Sequence, residues 1–405
     1  MKPLLYITPL RALLFGLTLA LFELLTYLAS DAVMPAMPVV VGDLNASPEY
    51  IPHALNLYLL GGVVLQWLIG PLLLVGCAFF GLACLATFWV HDIGLFNLLR
   101  LLQGIGLGFV VTVSYPALNE AFSEADAVRM MALLANIALL SPLLGPLVGT
   151  LLLQWLDWRW LFVAFAIGAV LVWGLLYRLM PETLGVERRD GSRLAFTPIH
   201  LLPLLAGYGQ LLANRRFVAG SAALGLVGLP LIGWIGLSPV LLIHDEGLST
   251  MAYALWQLPV FGGLILGNLI INRIADRYPL PALVRGALWP YLAGLCLMVL
   301  ATWYWPSVTS VVAGMSLYAL GLGVANAVLY RMTLFSSEQS KGLVSAMLGM
   351  ITIALLGLGG AVLAMIGAGA SLLHFALAAG VAGALALWPL WFVVGGRPDE
   401  GAVAQ

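Results

Sequence analysis

Charge is what this sequence has least of. Asp, Glu, Lys and Arg make up 9% of its 405 residues, against 62% apolar ones, and its mean hydropathy is +1.05. A soluble domain of that size could not hide so much apolar surface behind so few charges, so the class is a polytopic membrane protein. The net charge of −1 gives no reason to look for nucleic acid. Cysteine is scarce too: Cys77, Cys84 and Cys296 all lie in apolar runs, and no disulfide framework is visible. The five histidines are scattered without metal-ligand spacing. With no Walker motif, catalytic-triad spacing or zinc motif, neither pumping by ATP on this chain nor catalysis has support.

What is present is a series of apolar runs. Broken at charges and Gly/Pro turns, they give twelve spans, near 12–38, 52–70, 72–90, 96–119, 128–153 and 159–180, then 216–242, 250–272, 283–305, 308–332, 342–366 and 371–395. The expected fold is all-α: two six-helix halves, 1–180 and 216–405, joined by a polar loop over 181–215. Lys2 and Arg11 precede the first run in a way that resembles a secretory signal. The run is too long for one and carries acids, so it reads as an uncleaved first helix. Fifteen of the 17 basic residues fall on one side of this arrangement, with Arg159 on the other and Arg100 inside a span. Lys and Arg favour the cytoplasmic side, which puts both termini there. Weak echoes, LLQGIGLGFV (101–110) with LYALGLGVAN (317–326) and SPLLGPLVGT (141–150) with ALLGLGGAVL (354–363), suggest repeated halves. Such repeats usually enclose a midplane site in secondary transporters.

Only Glu23, Asp31 and Arg100 carry charge well inside the spans. A membrane acid costs roughly 2.5–3.5 kcal/mol on insertion scales, so it faces protein or a water-filled path. Glu23, Tyr27 and Asp31 are spaced i, i+4, i+8, within about 80° of one helix face. Arg100 stays charged and needs carboxylates or carbonyls around it, or else snorkels as an anchor at a span end. Gly104 and Gly108 follow it on a face suited to close helix contact. Pro142, Gly145, Pro146 and Gly149 mark span 5 as bent or tightly packed, and Pro35 and Pro259 do the same for spans 1 and 8. Polar and aromatic groups that could line a cavity are Tyr27, Ser30, Asn56, Tyr58, Gln66, Gln103, Tyr115, Asn136, Trp234, Tyr253, Gln257 and Asn326. Trp89, Trp303 and Trp305 read as interface anchors.

Several segments together resemble the major facilitator superfamily, and within it the MdfA-type bacterial multidrug/proton antiporters. They are FELLTYLASDAVMPAM (22–37), YLLGGVVLQWLIGPL (58–72), LLRLLQGIGLGF (98–109), ALLANIALLSPLLGPLVG (132–149), YALWQLPVFGGLILGN (253–268) and TLFSSEQSKGLVSAMLGM (333–350). SPLLGPLVG is similar to the antiporter signature of that group, and MPETL (180–184) to its end-of-span-6 pattern. The resemblance implies proton-coupled export of lipophilic neutral and cationic drugs by alternating access, in the bacterial inner membrane, by a monomer. It implies no cofactor beyond the proton. Glu23 and Asp31 match the two membrane acids and Arg100 the span-4 arginine that modulates proton binding. Tyr27, Gln103 and Tyr115 match cavity-side positions. Ser30 and Met34 stand where an asparagine and a glutamine are usual.

One departure matters. The superfamily normally carries an Asp-Arg-x-Gly-Arg-Arg-type motif between spans 2 and 3, whereas 54–90 here holds no charge, and two spans fit if Gly70-Pro71 makes the turn. Its counterpart after span 8 survives as NRIADRYP, with Arg273, Asp276 and Arg277 as a cytoplasmic gate. Without the first motif's acid the cytoplasmic side is expected to open more readily, favouring an inward-facing state and poor transport. The rival expectations are an exporter of one metabolite or sugar, and a transport-impaired variant.

Overall fold

The structure is a computed structural model that describes residues 6–64, 73–181, 201–275, 277–367 and 369–395. Among the described residues, each expected span falls on a helix or a pair of helices, the second span being described only as far as Val64. The first is α1 (Pro9–Asp31), continued through a 3-10 turn at Met34–Ala36 into α2 (Met37–Asp43). Then come α3 (His53–Val64), α4 (Leu73–Ala86), α5 (Ile93–Ala121), α6 (Glu124–Leu153) and α7 (Trp158–Leu179). After α8 (Leu201–Ala213) follow α9 (Arg215–Ser238), α10 (Thr250–Ile274), α11 (Leu280–Tyr304), α12 (Val308–Leu334) and α13 (Lys341–Met365). The last span is the pair α14 (Leu372–Leu385) and α15 (Leu387–Gly395). Among the described residues, nine segments are long and apolar enough to cross a membrane by length and composition. Among the described residues there is no strand. The expected turn at Gly70-Pro71 lies outside the described residues.

Local chemistry sets the helix starts. Thr8 caps α1, its hydroxyl accepting from the Arg11 amide at 3.2 Å, and Pro9 occupies the first turn, where its missing donor costs nothing. Asp92 and Asp157 cap α5 and α7 in the same way, and Ser307 and Ser371 cap α12 and α14. The break after Asp31 has its cause in Pro35, which has no amide hydrogen to return to the Asp31 carbonyl.

Segment 181–216 departs from a plain loop. Its later part, LLPLLAGYGQLLA, is helix α8, too short to span a bilayer but apolar enough to bury one stripe. Gly207, Tyr208 and Leu211 form that stripe, and Gly207 packs on Leu343. Asn214 donates to the Ser336 carbonyl at 2.9 Å, and Gln339 to Gln210 at 2.5 Å.

The chain forms two compact units. One comprises Met1–Leu204, Gly233–Leu258 and Gly357–Gly369; the other comprises Leu205–Ile232, Pro259–Leu356 and Ala370–Gln405. In the first, α1 packs along α5, α6 and α7, α3 packs on α5, and α4 lies between α5 and α7. In the second, α11 packs on α12 and α14, and α9 meets α12 and α13, with Tyr318 donating to the Val227 carbonyl and Gly225 against Leu355. Trp89, Trp303 and Trp305 are exposed, as lipid-interface anchors would be.

Candidate functional site

The site lies within the first unit, around the end of α1. Glu23 and Asp31 are both buried, at 2% and 6% exposure, and Tyr27 between them is half-buried. Glu23 Oε2 has no hydrogen-bond partner among the described residues. Asp31 accepts a hydrogen bond from the Ser141 hydroxyl of α6, at 3.2 Å, and the neighbouring Ser30 hydroxyl also acts on it. A buried carboxylate in an apolar helix is expensive and must be met by donors or by an opposite charge.

The helix that reaches Asp31 is the one carrying the signature. Gly145 is so close to α1 that a Cβ there would collide with the Asp31 side chain, and one on Gly149 would collide with the Ala32 carbonyl. The small residues of span 5 therefore let its backbone lie directly against the acid. Pro142 is half-buried and Pro146 buried, both inside α6. One turn further out, Thr150 donates to the Thr250 carbonyl at 3.2 Å.

Arg100 is fully buried and held by the protein. Its Nε donates to the Ala54 carbonyl and its Nη1 to the Ala29 carbonyl, both at 3.1 Å, and Nη1 also donates to Gln103 Oε1 at 2.8 Å. The guanidinium carbon lies 4.6 Å from the centre of the Tyr58 ring. Tyr58 in turn donates to the Thr26 carbonyl of α1 at 2.6 Å. Of the two roles open from sequence, the buried one is realised: carbonyls, an amide and a ring face hold the cation. Arg100 Nη2 has no partner among the described residues. Arg100 and Asp31 feel each other's charge, although no contact within 4 Å joins them among the described residues.

In the same unit, α9 and α10 contribute a second polar cluster. Trp234 donates to Gln257 Oε1 at 2.6 Å, and Gln257 Nε2 to the Ser238 hydroxyl at 3.2 Å. Tyr253 is buried beside Ser238 and faces Asp31 electrostatically. Ser30 and Asn56 are buried as well. Gln103 has no exposed surface: its amide is spent on Arg100, Thr87 and the Ala83 carbonyl. Tyr115 and Asn136 lie on α5 and α6, but their side chains are outside the described ones, as are Gln66 and Asp276. Asn326 is exposed on α12, and Arg273 and Arg277 are exposed at and just beyond the end of α10.

Ser141, Thr87 and Ser238 were not anticipated. A single hydroxyl in an apolar helix has no distinguishing pattern. For Ser141 the one available signal was its place immediately before Pro142 of the signature.

A buried acid pair, a carbonyl-held arginine and a proline-glycine helix pressed on one of the acids define the site's chemistry. The sequence pattern of the Major Facilitator Superfamily matches residues 19–341. The chain belongs to that superfamily. Among its relatives, a multidrug transporter MdfA from Yersinia pestis is 44% identical over 359 residues, 86% of each chain. One from Edwardsiella ictaluri is 43% identical over the same share of both. Solved structures similar to this fold include a D-xylose–proton symporter, with a TM-score of 0.73 at 17% identity over 95% of this chain and 97% of that one. A bacterial homologue of the lysosomal transporter Spinster gives 0.63 at 15% identity, over 96% of each. At such identities the structures speak for the superfamily's helical architecture alone.

Proposed function

We propose that this chain is a proton-coupled multidrug exporter that works by alternating access in the bacterial inner membrane, with both termini cytoplasmic. The observation that carries the reading is Asp31, buried beneath Gly145 with the hydroxyls of Ser141 and Ser30 and the charge of Arg100 acting on it. Relatives at 44% and 43% identity that are named multidrug transporters support the substrate class. Proton and drug compete for the carboxylates, so proton uptake on one side drives drug release. Each proton moving inward contributes about 1.4 kcal/mol per pH unit and about 2.3 kcal/mol per 100 mV. Two acids let neutral and cationic drugs share one cavity, since a cation brings charge that a single exchanged proton only balances. Tyr27, half-buried beside the acids, supplies an aromatic face suited to lipophilic cations, which Tyr253 and Trp234 would join in a conformation that exposes them.

The testing experiment is drug-stimulated proton movement in proteoliposomes with an imposed pH gradient. Proton efflux evoked by several unrelated lipophilic drugs is the expected outcome. Stimulation by one metabolite or sugar alone would replace this reading with that of a dedicated exporter. No stimulation by any compound, from protein that still binds drug, would mark a transport-impaired chain.

A further inference from the structure

Thr87 has no exposed surface, sits at the end of the third span and touches neither acid. Its hydrogen bonds have a fixed sense. The hydroxyl donates to the Ala83 carbonyl at 2.9 Å, so what it offers to Gln103 Nε2, 2.8 Å away, is a lone pair. The Ala83 carbonyl is a second acceptor for the same Nε2, at 3.4 Å. An amide flanked by two acceptors on one side keeps its NH2 there and turns its oxygen the other way. That oxygen faces Arg100 Nη1 at 2.8 Å, and the same Nη1 reaches Ala29, two residues before Asp31.

We propose that Thr87 is a positioning residue for proton coupling: it sets the orientation of the Gln103 amide, and through it the place of Arg100 beside Asp31. This rests on the proton-coupled reading above. Without the Thr87 lone pair, the amide loses its nearer acceptor, and the flipped amide would turn NH2 towards a guanidinium that cannot accept. Arg100 would then be held by two carbonyls and the Tyr58 ring alone. The groups facing this chain are few. Arg100 faces Asp31 of α1, Tyr58 of α3 and Cys84 of α4; Asp31 also faces Ser141 of α6 and Tyr253 of α10, and Glu23 shares α1 with it.

The test is the pH profile for binding of tetraphenylphosphonium, a lipophilic cation, to the purified full-length protein. Thr87→Val, which keeps the shape and removes the hydroxyl, should move the binding midpoint upward. The shift should be smaller than the about 1–3 pH units a neighbouring charge is worth. Thr87→Ser should restore the wild-type midpoint, and Thr87→Val should add nothing in an Arg100→Ala background. If Thr87→Val cannot be purified folded, Gln103→Met carries the same expectation. A wild-type midpoint that Arg100→Ala moves and Thr87→Val or Gln103→Met leaves in place would overturn the positioning role alone. Wild-type binding with no pH dependence would overturn the proton-coupled reading, and this role with it.

Discussion

In the first unit α3 and α5 meet at Gly61, Gly62, Gly104 and Gly108; in the second α10 and α12 meet at Gly263, Gly267 and Gly323. In both, an added Cβ would collide with the facing backbone: Gly104 with the Tyr58 carbonyl, Gly323 with the Leu264 carbonyl. The frame is duplicated, as the echo between spans 4 and 10 suggested. The chemistry hung on it is not. Beside the first pair lie Arg100, Gln103 and Tyr58, a cation with a spare donor. Beside the second lie Tyr291 and Tyr318, ring centres 5.1 Å apart, with both hydroxyls closed on carbonyls, those of Gly383 and Val227. Close glycine contact is thus a general means of docking helices in lipid, where apolar side chains gain little by leaving the tails. Among the described residues, buried charge occurs in the first unit only.

That asymmetry can be attacked at four points. The largest effect is expected from Glu23→Gln combined with Asp31→Asn, which should abolish proton-driven export in vesicles. Export that persists would detach coupling from the first unit. Next come Gly104→Leu and Gly323→Leu, which overfill equivalent contacts. Overpacking costs about 1–3 kcal/mol and sometimes more, so both should lower thermal stability by similar amounts in a detergent melting assay. A loss at one site only would show that the frames are not equivalent.

Arg100→Ala should separate the units most clearly. Removing a cation makes the nearby anion harder to form, so drug-cation binding should weaken at neutral pH and recover as pH rises. An unchanged profile would reduce Arg100 to packing. The smallest effect is expected from Tyr318→Phe, which forfeits one buried hydrogen bond, about 1 kcal/mol of stability. Its pH profile should match the wild type, and a shifted one would mean that the second unit takes part in coupling.

Much of this was legible because membranes simplify the code. Apolar runs of fixed length mark spans, and a charge inside one must be held by something, so Glu23, Asp31 and Arg100 stood out unaided. What holds them did not. The partners of Arg100 are mostly backbone carbonyls, of Ala29 and Ala54, which every residue possesses and no sequence advertises. Helix α8 was hidden for a different reason: thirteen residues are too few to span and too apolar to look like a helix of a soluble surface. Gln103 read as a cavity residue because a polar side chain in a span suggests a wet face, whereas here it serves a buried neighbour.

The tie from Thr150 to Thr250 gives α6 a mechanical character. Gly145, where the helix rests on Asp31, is five residues from Thr150, about 7.5 Å along the axis, while Glu124 is twenty-six residues away, about 39 Å. If α6 turns as one piece through Pro142 and Pro146, the arms about its tied end stand in a ratio of roughly five. On that hypothesis, a push of about 1 Å at the acid, the scale of a carboxylate changing partners, becomes about 5 Å at the far tip. Distances between spin labels at the two ends of α6, read at acid and alkaline pH, would measure the gain. Equal displacement at both ends would show a sliding helix instead of a lever.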